Sequence, residues 1–335
     1  MAKTIYTPNR LLDIALASTL LVEFGFVIHY FYREWKNFWF FSLSFVIIAV
    51  AVRLTEKAFY YSGKWLSSRF LSSTPYNDPL SKSYSMMKYT DQAWQLVYHS
   101  VFAVWEFVLL QKYSWFQGRI TIPHVNDQVF LPLDIQYISI YEISLYMFQA
   151  YRHVFVNRRK KDYYEMYLHH IVTIYLCFFS YRRFYTYGLV VLFIHDSSDI
   201  LVDTVKMINL LKLDGPAGFY SLEITFVLLM VIWFYQRLFF FPKFIISNGV
   251  KNLAEMYPGE GMFAVVKKEY ELCAVFLCLV ILYGLHWYWY SIFVKILKKS
   301  IVGSSSTVQE ATKGEYEGAS DSEEEEELVE HTKSE

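Results

Sequence analysis

Residues Tyr163 to Tyr181 read YYEMYLHHIVTIYLCFFSY, and after a short basic break Thr186 to Ile208 read TYGLVVLFIHDSSDILVDTVKMI. Each stretch matches the roughly 20 mostly apolar residues that a helix needs to cross the hydrocarbon core of a bilayer. Each also carries ionisable groups: His169 and His170 in the first, and His195, Asp196, Asp199, Asp203 and Lys206 in the second. A charged group in the middle of a membrane helix costs about 2.5–3.5 kcal/mol on insertion scales, so its presence needs a reason. These two segments predict an all-α polytopic membrane protein and mark where its chemistry is to be sought.

Working outward with the same template, spans are predicted at 11–31, 37–57, 92–113, 137–156, 163–182, 185–208, 217–242 and 270–298, eight in all. Composition agrees: 55% of the 335 residues are hydrophobic, 20% are aromatic and only 19% charged, with a mean hydropathy of +0.23, which excludes an ordinary soluble fold. Lys3 and Arg10 precede the first run, but Glu23 and His29 interrupt it and no small-residue cleavage site follows, so it reads as a retained helix, not a signal peptide. The three cysteines, Cys177, Cys273 and Cys278, lie in apolar runs without CxxC spacing. They suggest neither a disulfide framework nor a zinc knuckle, and are expected to be buried packing residues.

The polar stretch Glu56 to Asp91 contains Pro75, Pro79 and a Ser-rich patch, which predicts a loop with one interfacial amphipathic helix. From Ile301 onward there are 11 acidic and 2 basic residues and no apolar periodicity, so 304–335 is expected to be disordered. The expected organisation is therefore two helices and a loop over 1–80, a helical domain over 81–299 and an acidic tail over 300–335. Within that tail Ser320 and Ser322 each have Glu three residues downstream, the pattern of acidophilic kinases, although a merely solubilising tail explains the composition equally well.

Eight spans place both termini on one side of the membrane. Outside the tail, about 18 Lys and Arg fall on that side against about 11 on the other, which assigns it to the cytosol. The run Arg158, Arg159, Lys160 and Lys161 dominates the bias. It reads first as a positive-inside anchor, with attraction for anionic lipid headgroups or CoA phosphates as an added role.

On a helix, residues three or four apart share a face. His195, Asp199 and Asp203 therefore form one stripe, with Asp196 beside it and Lys206 within reach of Asp203. His169 and His170 diverge by about 100°, so only one of them points straight at that stripe. A nucleophile or base, a second imidazole and orienting carboxylates in a dry cavity are the minimum kit for acyl transfer. The competing readings are a polar network that glues helices together and a metal site built from two His and two Asp. The first is strained by five such groups on two helices, the second by the lack of an i,i+4 His pair or HExxH run. Glu23, His29, His99 and His286 stand alone in the sequence and read as packing or interfacial residues.

At these two blocks the chain resembles the ceramide synthase branch of the TRAM/LAG/CLN8 (TLC) domain family. The resemblance runs from about Ser81 to Lys299 and centres on KKDYYEMYLHHIVTIYLCFFSY, Lys160 to Tyr181, followed by HDSSD ending at Asp199. Supporting matches are YTDQAWQLVYHS around Trp94, Lys206, Arg237 with Pro242, and LHWYWYSIFVKI near the C-terminal end of the last span. The resemblance implies a six-helix bundle, an endoplasmic reticulum location, and acyl-CoA and a sphingoid base as substrates, and acyl transfer between them needs no metal or redox cofactor. It implies that His169, His170, His195, Asp196 and Asp199 line the active site and that His169 can carry the acyl group. The basic run, Lys206, Arg237 and Trp94 are then expected on the substrate side. Fungal members similarly have eight spans, and some work with a small accessory subunit, while a homo- or heterodimer also stays open. Many animal members insert a homeobox-like segment before the domain. Here the stretch between spans two and three is too short for one, so no nucleic-acid partner is expected.

Two rivals remain. Fatty acid elongases use an HxxHH motif, but the position three before His169 is Met166. Non-catalytic members that bind or move lipid commonly lack the full polar set, which this chain keeps. The expected mechanism has an acyl-imidazole on His169, an orienting carboxylate from Asp196 or Asp199, and His195 or His170 as base for the amine. Acyl-length preference, tied in the family to the connection before the last helix, here Lys243 to Glu269, is not readable from sequence.

Overall fold

A computed structural model of the chain describes residues 10–71, 80, 83–113, 131–156, 162–213 and 218–302. Among these residues every regular element is helical. In lipid each backbone N–H and C=O must be satisfied within its own segment, and long apolar runs therefore become helices. The elements are α1 (Arg10–Arg33), α2 (Trp35–Leu66), α3 (Ser83–Lys112), α4 (Leu133–Phe155), α5 (Tyr163–Phe179), α6 (Tyr185–Leu210), α7 (Ser221–Trp233), α8 (Ser247–Met256), α9 (Met262–Lys268) and α10 (Tyr270–Val302). Three π-wound segments, Ser67–Leu71, Ser180–Phe184 and Phe234–Ile246, extend or join them. The result is eight long rods, because α7, the third π segment and α8 run on as one.

Five of these helices are long and apolar enough to cross a membrane: Arg10–Arg33, Lys36–Arg69, Ser85–Lys112, Ser221–Met256 and Tyr270–Val302. The other three, α4, α5 and α6, pack among them and carry buried polar groups that include Glu142, His170, His195, Asp196 and Asp203. The outer helices turn apolar side chains such as Leu11, Ile14, Val22 and Val50 outward, as a lipid-facing surface requires. One apolar cluster, with Ile138, Ile140, Ile143 and Leu145 of α4, joins α1 to α6 and part of α10, while a second packs α7 against the other end of α10.

Contacts between helix ends fix their relative direction. Arg152 at the end of α4 pairs with Asp91 near the start of α3 at 2.7 Å and with Glu56 of α2 at 3.3 Å. Tyr164 at the start of α5 donates to Asp13 of α1 at 3.1 Å. At the opposite end Lys112 meets Asp134 at 2.6 Å, and Asn37 donates to Tyr181 at 3.0 Å. The rods α1 to α5 therefore alternate in direction.

Three boundaries differ from the sequence reading. The second span does not stop at residue 57, because α2 and its π extension run to Leu71; no separate interfacial helix occurs among the described residues of the connection. Pro242 does not end the seventh rod. Proline lacks an N–H and normally breaks an α-helix, but here it sits in a π-wound stretch, where its own carbonyl accepts from the Ser247 backbone N–H and, at 3.0 Å, from the Ser247 hydroxyl. The connection Lys243 to Glu269 is accordingly largely helical, through α8 and α9. Of the cysteines, all three are free thiols, and only Cys177 is buried, Cys273 and Cys278 being half-buried. The run Arg158 to Lys161 and the tail with Ser320 and Ser322 lie outside the described residues.

Candidate active site

α5 and α6 are joined by the π-wound corner Ser180–Phe184, from which they splay apart towards the end where α4 finishes and α5 begins. Between them lies a polar chamber of about 180 Å³. Its walls take His169 and His170 from α5, His195, Asp199, Asp203 and Lys206 from α6, Tyr98 and His99 from α3, and Arg237 and Trp289 from the last two rods. Deeper towards the corner a narrow apolar slot of about 40 Å³ is lined by Leu176, Cys177, Val191, Leu192, Leu279 and Leu282 among others. Three residues line both spaces: Tyr146, His169 and His195. The imidazole of His169 is thus at a polar–apolar boundary.

The histidines differ in how they are held. His169 has Nδ1 3.4 Å from the Thr173 hydroxyl and packs edge-on to Trp289, with ring centroids 5.6 Å apart. His195 has Nδ1 2.6 Å from the Val191 carbonyl oxygen, an acceptor only, so Nδ1 carries the proton. Its Nε2 then accepts from Nε2 of His286 at 2.9 Å, which leaves both ring nitrogens engaged. His170 is buried beside His153 with a centroid distance of 5.2 Å, and its Nδ1 has no hydrogen-bond partner among the described residues.

Arg237 organises the α6 wall. It is buried, donates to the Ser198 hydroxyl at 2.7 Å and the His195 carbonyl at 3.0 Å, and pairs with Asp199 at 2.6 Å. Its guanidinium also lies 4.0 Å from the centroid of Trp233, a cation–π contact that suits a weakly hydrated cation in a dry place. Asp203 accepts from the Gln92 amide and sits 2.6 Å from His99 Nδ1, while His99 Nε2 is 4.0 Å from Asp199. Carboxylate, imidazole, carboxylate and guanidinium thus follow one another along this wall.

Of the residues singled out in the sequence, the fold brings together His169, His170, His195, Asp199, Lys206 and Arg237. It turns Asp196 away: that side chain lines neither space and instead meets Glu106 and Glu142. Trp94 is also set back from the cavity, packed on Tyr98 with centroids 5.4 Å apart.

The site lies within the stretch 88–295, which matches the TLC domain, the pattern shared by TRAM, LAG1 and CLN8 proteins. The chain belongs to the TLC-domain family. Its relatives include Ceramide synthase LOH2 of Arabidopsis thaliana, 24% identical over 238 residues, or 70% of this chain and 76% of that protein. Ceramide synthase 1 LOH3 of the same plant is 26% identical over 240 residues, covering 67% of this chain and 73% of that protein. Ceramide synthase 1 of Mus musculus is 26% identical over 194 residues, covering 53% of this chain and 55% of that protein.

Two members of this TLC-domain site read as mere packing residues in the sequence, His99 and His286. Each stands alone in its own helix, and its partner comes from α6, 104 and 91 residues away. Periodicity sees only neighbours on the same helix. The one available signal was YTDQAWQLVYHS, whose Gln92 and His99 are two turns apart and both reach Asp203.

Proposed function

We propose that this chain is a ceramide synthase, transferring a fatty acyl group from acyl-CoA to the amine of a long-chain sphingoid base. The observation that carries the reading is the position of His169, whose imidazole borders both the polar chamber and the apolar slot. A thioester has the same division, with an apolar chain on one side of its carbonyl and a polar headgroup on the other. The names of the plant and mouse relatives support the same reaction.

In this reading the acyl chain enters the slot, whose walls must part to admit it, and the CoA headgroup stays at the chamber mouth near Lys206. The free nitrogen of His169 attacks the thioester carbonyl, a C–N bond forms, the C–S bond breaks and CoA leaves as thiolate. Thr173 orients the ring through Nδ1. The sphingoid amine gives up a proton, attacks the acyl-imidazole, and releases amide and free imidazole. His195 has no nitrogen to spare, so His170 or His99 suits the base role better, and His99 has the carboxylate partner that holds an imidazole in one tautomer. Asp199, held by Arg237, offers negative charge to the incoming ammonium. An endoplasmic reticulum membrane with cytosolic termini is the setting this reading calls for.

Purified protein supplied with acyl-CoA and a sphingoid base should yield ceramide. Intact lipid bound without turnover would make the chain a lipid carrier instead.

A further inference from the structure

Away from the chamber, Glu106 of α3, Glu142 of α4 and Asp196 of α6 meet in the interior of the bundle. Their exposures are 0%, 1% and 1%. Each offers a carboxylate oxygen, and the three oxygens lie within 4.8 Å of one another. A separate observation concerns their partners: none of the six carboxylate oxygens has a hydrogen-bond partner among the described residues. Two other buried acids, by contrast, are satisfied. Asp203 has His99 and Gln92, and Glu269 has Arg183 and Tyr257.

Three carboxylates in a dry interior repel one another and have lost their water, so they must either take up protons or hold a cation between them; protonated acids would share O–H···O hydrogen bonds, and none of the six oxygens has one among the described residues. The donor set is all oxygen, which selects hard cations over zinc or copper. Cations of this kind bind oxygen at about 2.0–2.6 Å, which places the oxygens of one shell about 3–5 Å apart. The spacing of the three acids falls in that range.

We infer that Glu106, Glu142 and Asp196 form a closed, oxygen-only site for one divalent cation of the calcium–magnesium class, which ties α3, α4 and α6 together. The site is distinct from the chamber, because none of the three acids lines it. Its effect would still reach the chamber, since Asp196 is adjacent to His195 and one turn from Asp199 on the same helix. A cation gripping Asp196 fixes the rotation of α6 and so the direction in which those groups point.

The test uses full-length protein purified in detergent and dialysed against EDTA, because a closed site should keep its ion. Elemental analysis is expected to find close to one equivalent of calcium, magnesium or manganese per chain in the wild type, and background in Glu142→Gln. Protein refolded without metal should gain thermal stability by several degrees when Ca²⁺, Mg²⁺ or Mn²⁺ is returned, and Mn²⁺ should give the resonance of an oxygen-ligated bound ion. If Glu142→Gln does not insert, Glu106→Gln serves in its place, and the wild-type metal content is decisive by itself. Metal below a tenth of an equivalent in the wild type, with no thermal response to added cations, would overturn the inference and leave the trio as neutral carboxylic acids.

Discussion

His99 Nδ1 and Asp203 Oδ2 lie 2.6 Å apart across the interface of α3 and α6, and Gln92 donates to the other oxygen of the same carboxylate. This fixes the imidazole with its second nitrogen 4.0 Å from Asp199. A histidine held by a buried carboxylate, with its remaining nitrogen facing a cavity, is how an imidazole is prepared to take a proton.

General acid–base groups contribute about 10²–10⁴-fold to rate. His99→Ala should therefore lower amide formation by at least about 100-fold while acyl-enzyme still accumulates, since the first step does not need the amine base. Asp203→Asn should give a smaller loss. Single-turnover kinetics that follow CoA release and amide formation separately will show this; an equal fall in both steps would assign His99 to packing.

His169→Ala removes the group at the boundary of the two spaces. Intact-protein mass spectrometry after adding acyl-CoA without sphingoid base should show one added acyl group in the wild type and none in the variant, with ceramide formation lost in parallel. Rapid ceramide formation by a wild type that shows no adduct would mean that the amine attacks acyl-CoA directly, with His169 as a base.

At the opposite end, Arg183 in the π-wound corner pairs with Glu269 just before α10 through contacts of 2.7 and 3.1 Å, both side chains being buried. Tyr257 donates to the same carboxylate at 2.8 Å. Breaking a buried pair by removing one partner leaves the other charge unpaired and costs about 3–5 kcal/mol. Arg183→Met should thus lower thermal stability strongly, and the double variant Arg183→Met with Glu269→Gln should recover much of the loss. Equal melting temperatures for the single variant and the wild type would show that the pair is solvated and carries little energy.

The fold class was legible because lipid imposes one strong rule, about 20 apolar residues per crossing, and five of the eight rods meet it in full. The stripe His195, Asp199, Asp203 was legible because it lies on one helix. What periodicity does not encode is a pairing between helices. His99 and His286 look solitary until α6 is packed beside them, and Asp196, a neighbour of the stripe in sequence, turns to a different helix pair. Likewise Pro242 reads as a helix end by its chemistry, yet π winding supplies the hydrogen bonding that lets the rod continue.

The last prediction concerns Gly188 and Ser180, which face each other where the corner reverses the chain and both line the slot. A Cβ added at Gly188 would lie 1.7 Å from Ser180 Oγ and 2.4 Å from Ser180 Cβ. No rotamer moves a Cβ, so Gly188→Ala must push α5 and α6 apart at the closed end of the slot. Overpacking of this kind costs about 1–3 kcal/mol. The variant should melt at a lower temperature, and if the slot receives the acyl chain it should also change the chain lengths accepted, because both residues form the slot's inner end. Ser180→Gly in the same chain removes the opposing Cβ and should restore stability. Competition between acyl-CoAs of graded length, read by mass spectrometry of the products, separates the two effects. A stability loss rescued by Ser180→Gly with an unchanged product distribution in Gly188→Ala would mean that the chain binds elsewhere, whereas a shift in the distribution would place its methyl end against this corner.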